Sequence, residues 1–325
     1  MTRRVVTAAF AVLLGTAAAA AAQNLTYAKG QNVSPAYEGW EEDSAGRKFF
    51  VFGYMNRNWQ EELDVPVGND NKFLAGPADQ GQPTHFLPRR NRFIFRVPVP
   101  PGFTEKDELV WSLTTRGKTE LAYASLRLDY KIDDVVKASE TGALGAGSSS
   151  PEIRKNTPPV LEIQGPRRLE VKVGEAVPLT VVVRDDGIPK ARAVGAGAAV
   201  ENTGSTLARS TTAPPEVIAQ LRARRLMQPP ARVTVGKNVG LHTAWLVYRG
   251  TGAVTFDNDQ IATWEDTRTG GNSPWAPHWV APELPKDGKV TTTAWFKTPG
   301  EYVLRVRADD GALTSDQQIT IVVKP

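Results

Sequence analysis

The chain has 325 residues, among them 39 basic and 35 acidic side chains, three histidines and no cysteine. The absence of cysteine excludes disulfides, thiolate-bound metals and thiol nucleophiles. The formal net charge is +4, and it falls to +2 if Arg3 and Arg4 are removed with a leader segment, so the mature chain is nearly balanced. Such a balance gives no reason to expect nucleic acid as a partner.

The N-terminus has the pattern of a secretory signal peptide. Arg3 and Arg4 precede an apolar run over 5–22 that ends in Ala-x-Ala before Gln23. We expect residues 1–22 to be removed near Ala22. The second half of the run is alanine and no basic stop-transfer cluster follows, so no transmembrane segment is expected after cleavage. The mature chain is therefore predicted to be exported, to the periplasm or outside the cell.

The first half of the mature chain is a series of short runs rich in aromatic and β-branched residues, separated by turn residues. The runs are FFVFGYM at 49–55, FIFRVPV at 93–99, LVWSLTT at 109–115 and LAYASLRL at 121–128. They predict an antiparallel β-sandwich domain over 24–138. A Gly, Ser and Pro-rich stretch at 139–159 follows, and its composition is typical of a linker.

A second β-domain is predicted over 160–325 from strict alternation of apolar residues. The alternating positions are Val177, Leu179, Val181, Val183, Tyr302, Leu304 and Val306. Alternation of this kind buries one face of a sandwich sheet. The stretch 188–239 interrupts the pattern as a long insertion, and PPEVIAQLRARRLMQPP at 214–230 within it predicts a short helix. The three arginines 222, 224 and 225 form either a contact for an anionic partner or a solvated helix face.

Both ends of this second domain resemble a known class of modules. NTPPV and VKVGEAVPLTVVVRDDG at its start, and TPGEYVLRVRADDG and ITIVV at its end, are similar to the first and last strands of bacterial immunoglobulin-like modules of the PKD and cadherin-like kind. The resemblance implies an immunoglobulin-like sandwich and a role as spacer, adhesion or binding unit. The chain as a whole resembles a group of exported bacterial proteins that carry stretches such as GYMNRNWQEELDVPVG, which implies export but no particular activity.

The fold class that follows is all-β: two antiparallel β-sandwich domains, the second immunoglobulin-like with a long insertion containing a short helix. The stretch GPADQGQPTHFLPRRNRF at 76–93 is the first candidate for a site, because it holds His85, the one histidine of the first domain. General acid–base chemistry needs a carboxylate beside the histidine, and Glu61, Glu62 and Asp64 are candidates. The alternative is a stiff surface loop. In it, Arg89, Arg90 and Arg92 would pair with the acidic turn, which is the segment from Glu61 to Asp64.

Two groups of aromatic residues are candidates for ligand binding. Tyr54 and Trp59 stand beside Asn, Glu and Asp residues, a combination typical of sugar-binding surfaces, but they could equally belong to the core. Trp275 and Trp279 lie in the proline-rich stretch NSPWAPHWVAPELP, where they form either a lid on the sandwich or an apolar platform for a partner.

Calcium is the one cofactor that the sequence suggests. Acidic side chains cluster where strands of the second domain end, and clustered carboxylates suit a hard cation. The candidate ligands are Asp185, Asp186, Asp257, Asp259, Asp309 and Asp310. Asp-Gly is also a favoured hairpin dipeptide, and this explains the RDDG and ADDG motifs without a metal.

The sequence therefore predicts a non-catalytic exported protein that binds, adheres or supports structure in the cell envelope or extracellular space. Its partner would be a protein or a glycan. The alternative is a carbohydrate- or cation-dependent hydrolase centred on His85 and the acidic turn. The chain carries no nucleophile elbow, phosphate loop or dinucleotide fingerprint, which favours the first interpretation.

Overall fold

A computed structural model describes residues 28–141, 150–190, 240–258, 260–264 and 283–325. The predicted insertion helix, Arg222, Arg224, Arg225, Asp259, Trp275, Trp279 and the signal peptide lie outside these residues. The described chain is mostly strand, and the all-β prediction is confirmed. Among the described residues, no helix has the length and apolar character needed to cross a membrane.

The first sandwich consists of two three-stranded antiparallel sheets and a small two-stranded ladder. One sheet has the order β1-β2-β6 and contains β1 (Val33–Glu42), β2 (Lys48–Asn56) and β6 (Arg89–Pro98). The other has the order β4-β7-β8 and contains β4 (Asn71–Phe73), β7 (Leu109–Thr115) and β8 (Lys118–Ala124). The ladder joins β3 (Leu63–Asp64) to β5 (His85–Phe86). The four predicted strands correspond to β2, β6, β7 and β8.

An aromatic cluster fills the space between the two sheets. Phe52 stacks on Phe95 with ring centroids 5.3 Å apart, and Phe95 meets Trp111 edge-on at 5.1 Å. The indole N–H of Trp111 donates to Asn71 Oδ1 over 2.9 Å, so its one polar atom is satisfied within the core. These runs form strands because their aromatic and β-branched residues bury one face each.

A helix and two short turns connect the two sandwiches along the chain. Helix α1 (Asp134–Thr141) begins just after a 3₁₀ turn at Leu128–Tyr130, and a second 3₁₀ turn occupies Ile153–Lys155. The first three residues of the stretch predicted as linker therefore continue this helix. A small apolar cluster joins the connection to the last hairpin of the second sandwich, and its members are Ala138, Ile153, Ala312 and Leu313.

The second sandwich contains two four-stranded sheets. One has the order β13-β14-β11-β9, with β9 (Val160–Ile163), β11 (Val177–Arg184), β13 (Val254–Phe256) and β14 (Lys289–Phe296). The other has the order β10-β16-β15-β12, with β10 (Arg168–Lys172), β12 (His242–Arg249), β15 (Gly300–Asp309) and β16 (Thr314–Lys324). Among the described strands of this sandwich, β10 and β16 pair in parallel and the other pairs are antiparallel.

Lettered in chain order as A, A′, B, C, D, E, F and G, these strands give the sheets DEBA and A′GFC. This is the arrangement of an immunoglobulin-like sandwich. The alternating residues predicted to face its core are all buried: Val177, Leu179, Val181, Val183, Tyr302, Leu304 and Val306. The predicted inward-facing positions of these strands are confirmed.

Candidate functional site

His85 lies between two carboxylates of the acidic turn. The pairing of β3 with β5 places Asp64 directly opposite His85. His85 Nδ1 lies 2.7 Å from Asp64 Oδ1, and His85 Nε2 lies 3.0 Å from Glu62 Oε2. Only 10% of the histidine side chain is exposed. The structure thus brings together three of the four residues proposed for a reactive centre.

The electrostatics of this triad favour the charged form of His85 at neutral pH. Burial alone would lower the pKa of His85, but the hydrogen bonds to Asp64 and Glu62 outweigh it and raise the pKa to about 9. At neutral pH the ring is therefore an imidazolium that uses both N–H groups as donors. An imidazolium cannot accept a proton or bind a metal, whereas a general base leaves one nitrogen free to face its substrate.

Glu61 and the neighbouring arginines have other partners. Glu61 pairs with Arg116, and its second oxygen accepts from the backbone N–H of Gly30 over 2.6 Å. Two of the three arginines predicted to pair with the acidic turn form ion pairs elsewhere. Arg90 pairs with Glu38 at 2.7 Å, and Arg92 pairs with Glu140 at 3.0 Å.

The physical reason is the register of β6 on β2. Arg90 lies opposite Met55, on the face of the sheet that also carries Glu38 of β1. The strand between them offers Gly53, where a Cβ would lie 2.2 Å from Glu38 Oε1. Because this position has no side chain, the glutamate can lie across the middle strand and meet Arg90.

Arg89 and Trp59 form a stacked pair beside the acidic turn. The Arg89 guanidinium lies 3.8 Å from the centroid of the Trp59 ring and donates to the carbonyl of Arg57 over 3.1 Å. Tyr54 is 2% exposed, packs on Phe86 at 5.0 Å between ring centroids, and accepts a hydrogen bond from the Leu87 N–H. Tyr54 therefore belongs to the core, and the ring face of Trp59 is covered by a cation.

An open groove of about 510 Å³ is lined by Asp64 and its neighbours in the chain. The loop 63–70 forms one wall, and the β7–β8 turn at 114–116 forms the other. Asp64, Asn69, Asp70, Thr114 and Arg116 supply its hydrogen-bonding side chains. The sequence singled out this loop for its polar turn, but the opposing wall has no signal in the sequence because it comes from a hairpin about 50 residues further along the chain.

Buried amides hold the groove wall in place. Asn71 is fully buried and its amide N–H groups donate to the carbonyls of Val65 and Pro83 over 2.9 and 2.8 Å. Asn56 is also fully buried and donates to the carbonyls of Glu61 and Phe86. These bonds give buried partners to carbonyls in and beside the β3–β5 ladder, so the wall is preorganised.

The aspartates at strand ends of the second sandwich accept hydrogen bonds from the protein itself. Asp309 accepts from the N–H of Gly311 over 2.7 Å. Asp310 accepts from the N–H groups of Ala312 and Leu313 and from the Asn156 amide. Burial raises the pKa of Asp310 to about 7, against the effect of these three donors.

The other three aspartates near strand ends behave similarly. Asp185 accepts from the N–H of Gly187, and Asp186 accepts from the N–H and hydroxyl of Thr157. Asp257 accepts from the Thr292 hydroxyl. Across the described parts of the chain, no three acidic or histidine side chains are grouped to hold a metal ion. The described carboxylates thus act as turn and junction acceptors.

The feature that the sequence did not reveal is the junction between the sandwiches. Residues 79–84, in the middle of the stretch 76–93, bond to the end of β12 in the second sandwich. The neighbouring strand β15 carries two arginines at this contact, Arg305 and Arg307, which are each only 5% exposed. Both pair with Asp316, Arg305 at 3.3 Å and Arg307 at 2.8 Å. Their placement on the outer face was readable from the alternation of β15, but what covers that face was not.

No family model matches the chain. No curated protein matches it. Similar solved structures include domains 4 and 5 of the S-layer protein SbsC, with 10% identity over 70% of this chain and 69% of that chain and a TM-score of 0.23. The D00–D0 domain of intimin has 9% identity over 90% and 100%, with a TM-score of 0.22. Fibronectin(III)-like modules of Clostridium thermocellum CbhA have 9% identity over 90% and 94%, with a TM-score of 0.20. At these TM-scores the likeness carries no argument about function.

Proposed function

We propose that the chain is a non-catalytic exported protein of the cell envelope or extracellular space, and that it binds a protein or a glycan. The domains are 24–138 and 160–325, joined by 139–159, with 1–22 as a signal peptide. The second domain is of the PKD or cadherin-like kind. The observation that carries the proposal is the open groove between the loop 63–70 and the turn 114–116.

The groove has the size and chemistry of a ligand site. Its volume of about 510 Å³ falls within the range typical of small-molecule and short-chain sites. Hydroxyl, amide, carboxylate and guanidinium groups line it together with Val67 and Pro66. Such a mixture supplies donors and acceptors for a polyhydroxylated or peptidic ligand without an obvious reactive group.

The state of His85 favours binding over catalysis. The alternative, a hydrolase, is motivated by the contact of His85 with Asp64 and Glu62. That contact engages both ring nitrogens, and a pKa of about 9 keeps the ring protonated at neutral pH. A hydrolytic base would need the neutral ring with one nitrogen facing the groove.

The proposal can be tested by binding of the purified mature protein to a glycan array and to a library of immobilised extended peptides. We expect binding that is lost in Asn69→Ala/Asp70→Ala and kept in Glu105→Ala, since Glu105 is exposed and lies outside the groove. Equal binding by both variants would move the site elsewhere. Release of hydrolysis products from array ligands, abolished by His85→Ala, would support the hydrolase instead.

The calcium hypothesis needs a separate test, because one of the proposed ligands, Asp259, lies outside the described residues. Thermal unfolding is compared with and without calcium, since a cation that prefers the native state raises the melting temperature by mass action. A rise that EDTA reverses and Asp257→Ala/Asp259→Ala abolishes would establish the site. An unchanged melting temperature would leave these residues as turn acceptors. Export is tested by N-terminal sequencing of protein from outside the cytoplasm, which should begin at Gln23.

A further inference from the structure

The hydrophobic core of the first sandwich contains a residue of the second. Tyr248 of β12 is 3% exposed and packs in the aromatic core of the first sandwich. Leu246 and Val303 of the second sandwich lie against the same cluster. The Tyr248 hydroxyl donates to the carbonyl of Gly81. Tyr248 therefore closes part of the wall of the first core, with Leu246 and Val303 beside it.

The loop 79–88 is fastened to β12 by both backbone and side-chain bonds. The N–H of Thr84 donates to the carbonyl of Tyr248 over 3.1 Å, and the N–H of Gly250 donates to the Thr84 hydroxyl over 3.2 Å. The Arg249 guanidinium makes a bidentate pair with Asp79 at 2.9 and 2.7 Å. These bonds satisfy backbone groups of the first sandwich with partners from the second.

Charged groups are buried at the same contact. Arg305 lies 3.6 Å above the centroid of the Tyr248 ring and donates to the carbonyl of Ile94 in β6. A cavity between the two sandwiches, lined in part by Tyr54, His85 and Arg307, has a volume of about 10 Å³. The surfaces are therefore closely packed, and parting them would expose the core and hydrate the arginines.

A second attachment lies away from this contact. The apolar cluster of Ala138, Ile153, Ala312 and Leu313 fixes helix α1 and the following turn to the last hairpin. Arg92 of β6 pairs with Glu140 in the same helix. The two sandwiches are thus held both through space and through their connection, which lowers the effective cost of closing the contact.

We propose that the two sandwiches form a single cooperative folding unit, in which Tyr248 and the loop 79–88 couple the stability of one core to that of the other. Ordinary linked domains share small polar contacts and unfold independently. Here the first core is incomplete without β12, so loss of either core removes stabilising contacts from the other. This coupling holds whether or not the groove binds a ligand.

The test uses the natural absence of cysteine. Single cysteines at two exposed positions, Glu105→Cys in the first sandwich and Lys297→Cys in the second, carry an environment-sensitive fluorophore in the full mature chain. Urea unfolding is then followed separately at each label. We expect the two midpoints to coincide. Separate midpoints in this otherwise unmodified chain would overturn the proposal.

Core variants measure the coupling directly. Leu179→Ala removes contacts from the second core only, since Leu179 is 2% exposed and belongs to that cluster. We expect both labels to shift to lower urea by the same amount, and Leu179→Val serves if the alanine variant fails to fold. A shift confined to the label at 297 would contradict a shared transition.

Tyr248 variants identify the link. Tyr248→Ala should separate the two midpoints because it opens the wall of the first core. The matched control Tyr248→Phe keeps the ring and loses only the hydroxyl bond to Gly81, so the midpoints should stay together. Coincident midpoints in Tyr248→Ala would refute the role assigned to this residue.

Discussion

The outer faces of two sheets in this protein differ in whether another part of the chain covers them. The outer face of β12, β15 and β16 carries Arg305, Arg307 and Asp316, yet the first sandwich covers it. The outer face of β4, β7 and β8 carries Leu121 and Tyr123, which are 40% and 51% exposed. A face that carries two arginines and an aspartate beside Tyr248 is buried, whereas a face with two exposed apolar side chains is open. Alternation along a strand distinguishes the inner face of its own sandwich from the outer one, but it does not say what lies against the outer one.

The covered face explains why the junction holds its orientation. The pKa of Asp316 is lowered because Arg307 and Arg305 outweigh the effect of burial on its carboxylate. Buried ion clusters contribute little net stability compared with apolar packing, but they penalise any arrangement that separates the charges. The junction therefore gains specificity from the cluster and closeness of packing from Tyr248.

The largest expected effect comes from breaking the covered cluster. Asp316→Ala leaves two arginines buried without their carboxylate, and we expect a loss of about 3 kcal/mol in the free energy of unfolding. Urea unfolding of the full chain measures it. The matched control, Arg305→Met/Arg307→Leu/Asp316→Leu, removes all three charges and should cost less than the single change. A triple variant that is weaker than Asp316→Ala would contradict this view of the cluster.

His85 lies at the margin of the same junction and should make the free energy of unfolding depend on pH. The pKa of His85 is raised to about 9 in the folded chain, above its ordinary value of about 6.5. Its contribution is fully present below pH 6.5 and is lost as pH rises through about 9. A shift of this size corresponds to about 3 kcal/mol. Because the Glu62 and Asp64 side chains are 48% and 36% exposed and solvent screens them, we expect the stability gap between the wild type and His85→Ala to shrink by on the order of 2 kcal/mol between pH 6 and pH 10. A gap that is independent of pH would show that the histidine acts by packing alone.

The fastening of the loop 79–88 should have an intermediate effect. Arg249→Ala removes the bidentate pair with Asp79 and a donor to the carbonyl of Gln82, and because Asp79 is half exposed we expect a loss of about 1 kcal/mol. Arg249→Lys keeps the charge without the planar fork and should recover only part of it. Full recovery by lysine would mean that geometry at this contact is unimportant. Both are measured by urea unfolding.

The smallest effect is expected on the open face. Leu121→Thr/Tyr123→Thr keeps strand propensity on β8 and removes exposed apolar surface, so the free energy of unfolding should change by no more than about 0.5 kcal/mol. Equilibrium urea unfolding measures it, with Leu113→Ala in the buried core as the contrasting variant. A loss comparable to that of the core variant would show that another part of the chain covers this face.

Much of the local structure was readable from the residues. The strands β2, β6, β7 and β8 and the alternating faces of β11 and β15 follow from periodicity, because burial on one side of a strand repeats every second residue. The first strand, β1, was missed, since VSPAYEGWEE contains a proline, a glycine and three glutamates and shows no clean alternation. Its identity depends on its pairing with β2.

The sequence identified the residues of the candidate site but not how they are arranged in space. The residues of the acidic turn were recognised as possible partners of His85, and β3 and β5 bring Asp64 and Glu62 to it. That both ring nitrogens would be engaged, and that Arg90 and Arg92 would turn to Glu38 and Glu140, depended on sheet register. Register is a long-range property, set by which strands pair and where a bulge lies.

A resemblance at both ends of the second sandwich implied its immunoglobulin-like character. By itself, the sequence determined the all-β class and the inward faces of the strands. These depend on local periodicity and turn chemistry, which are written residue by residue. Only the tertiary structure decided that Tyr248 enters the first core, that Arg305 and Arg307 are covered, and that GPADQGQPTHFLPRRNRF is a docking loop. The reason is that a strand's outer face takes its environment from residues more than a hundred positions away, which no local pattern records.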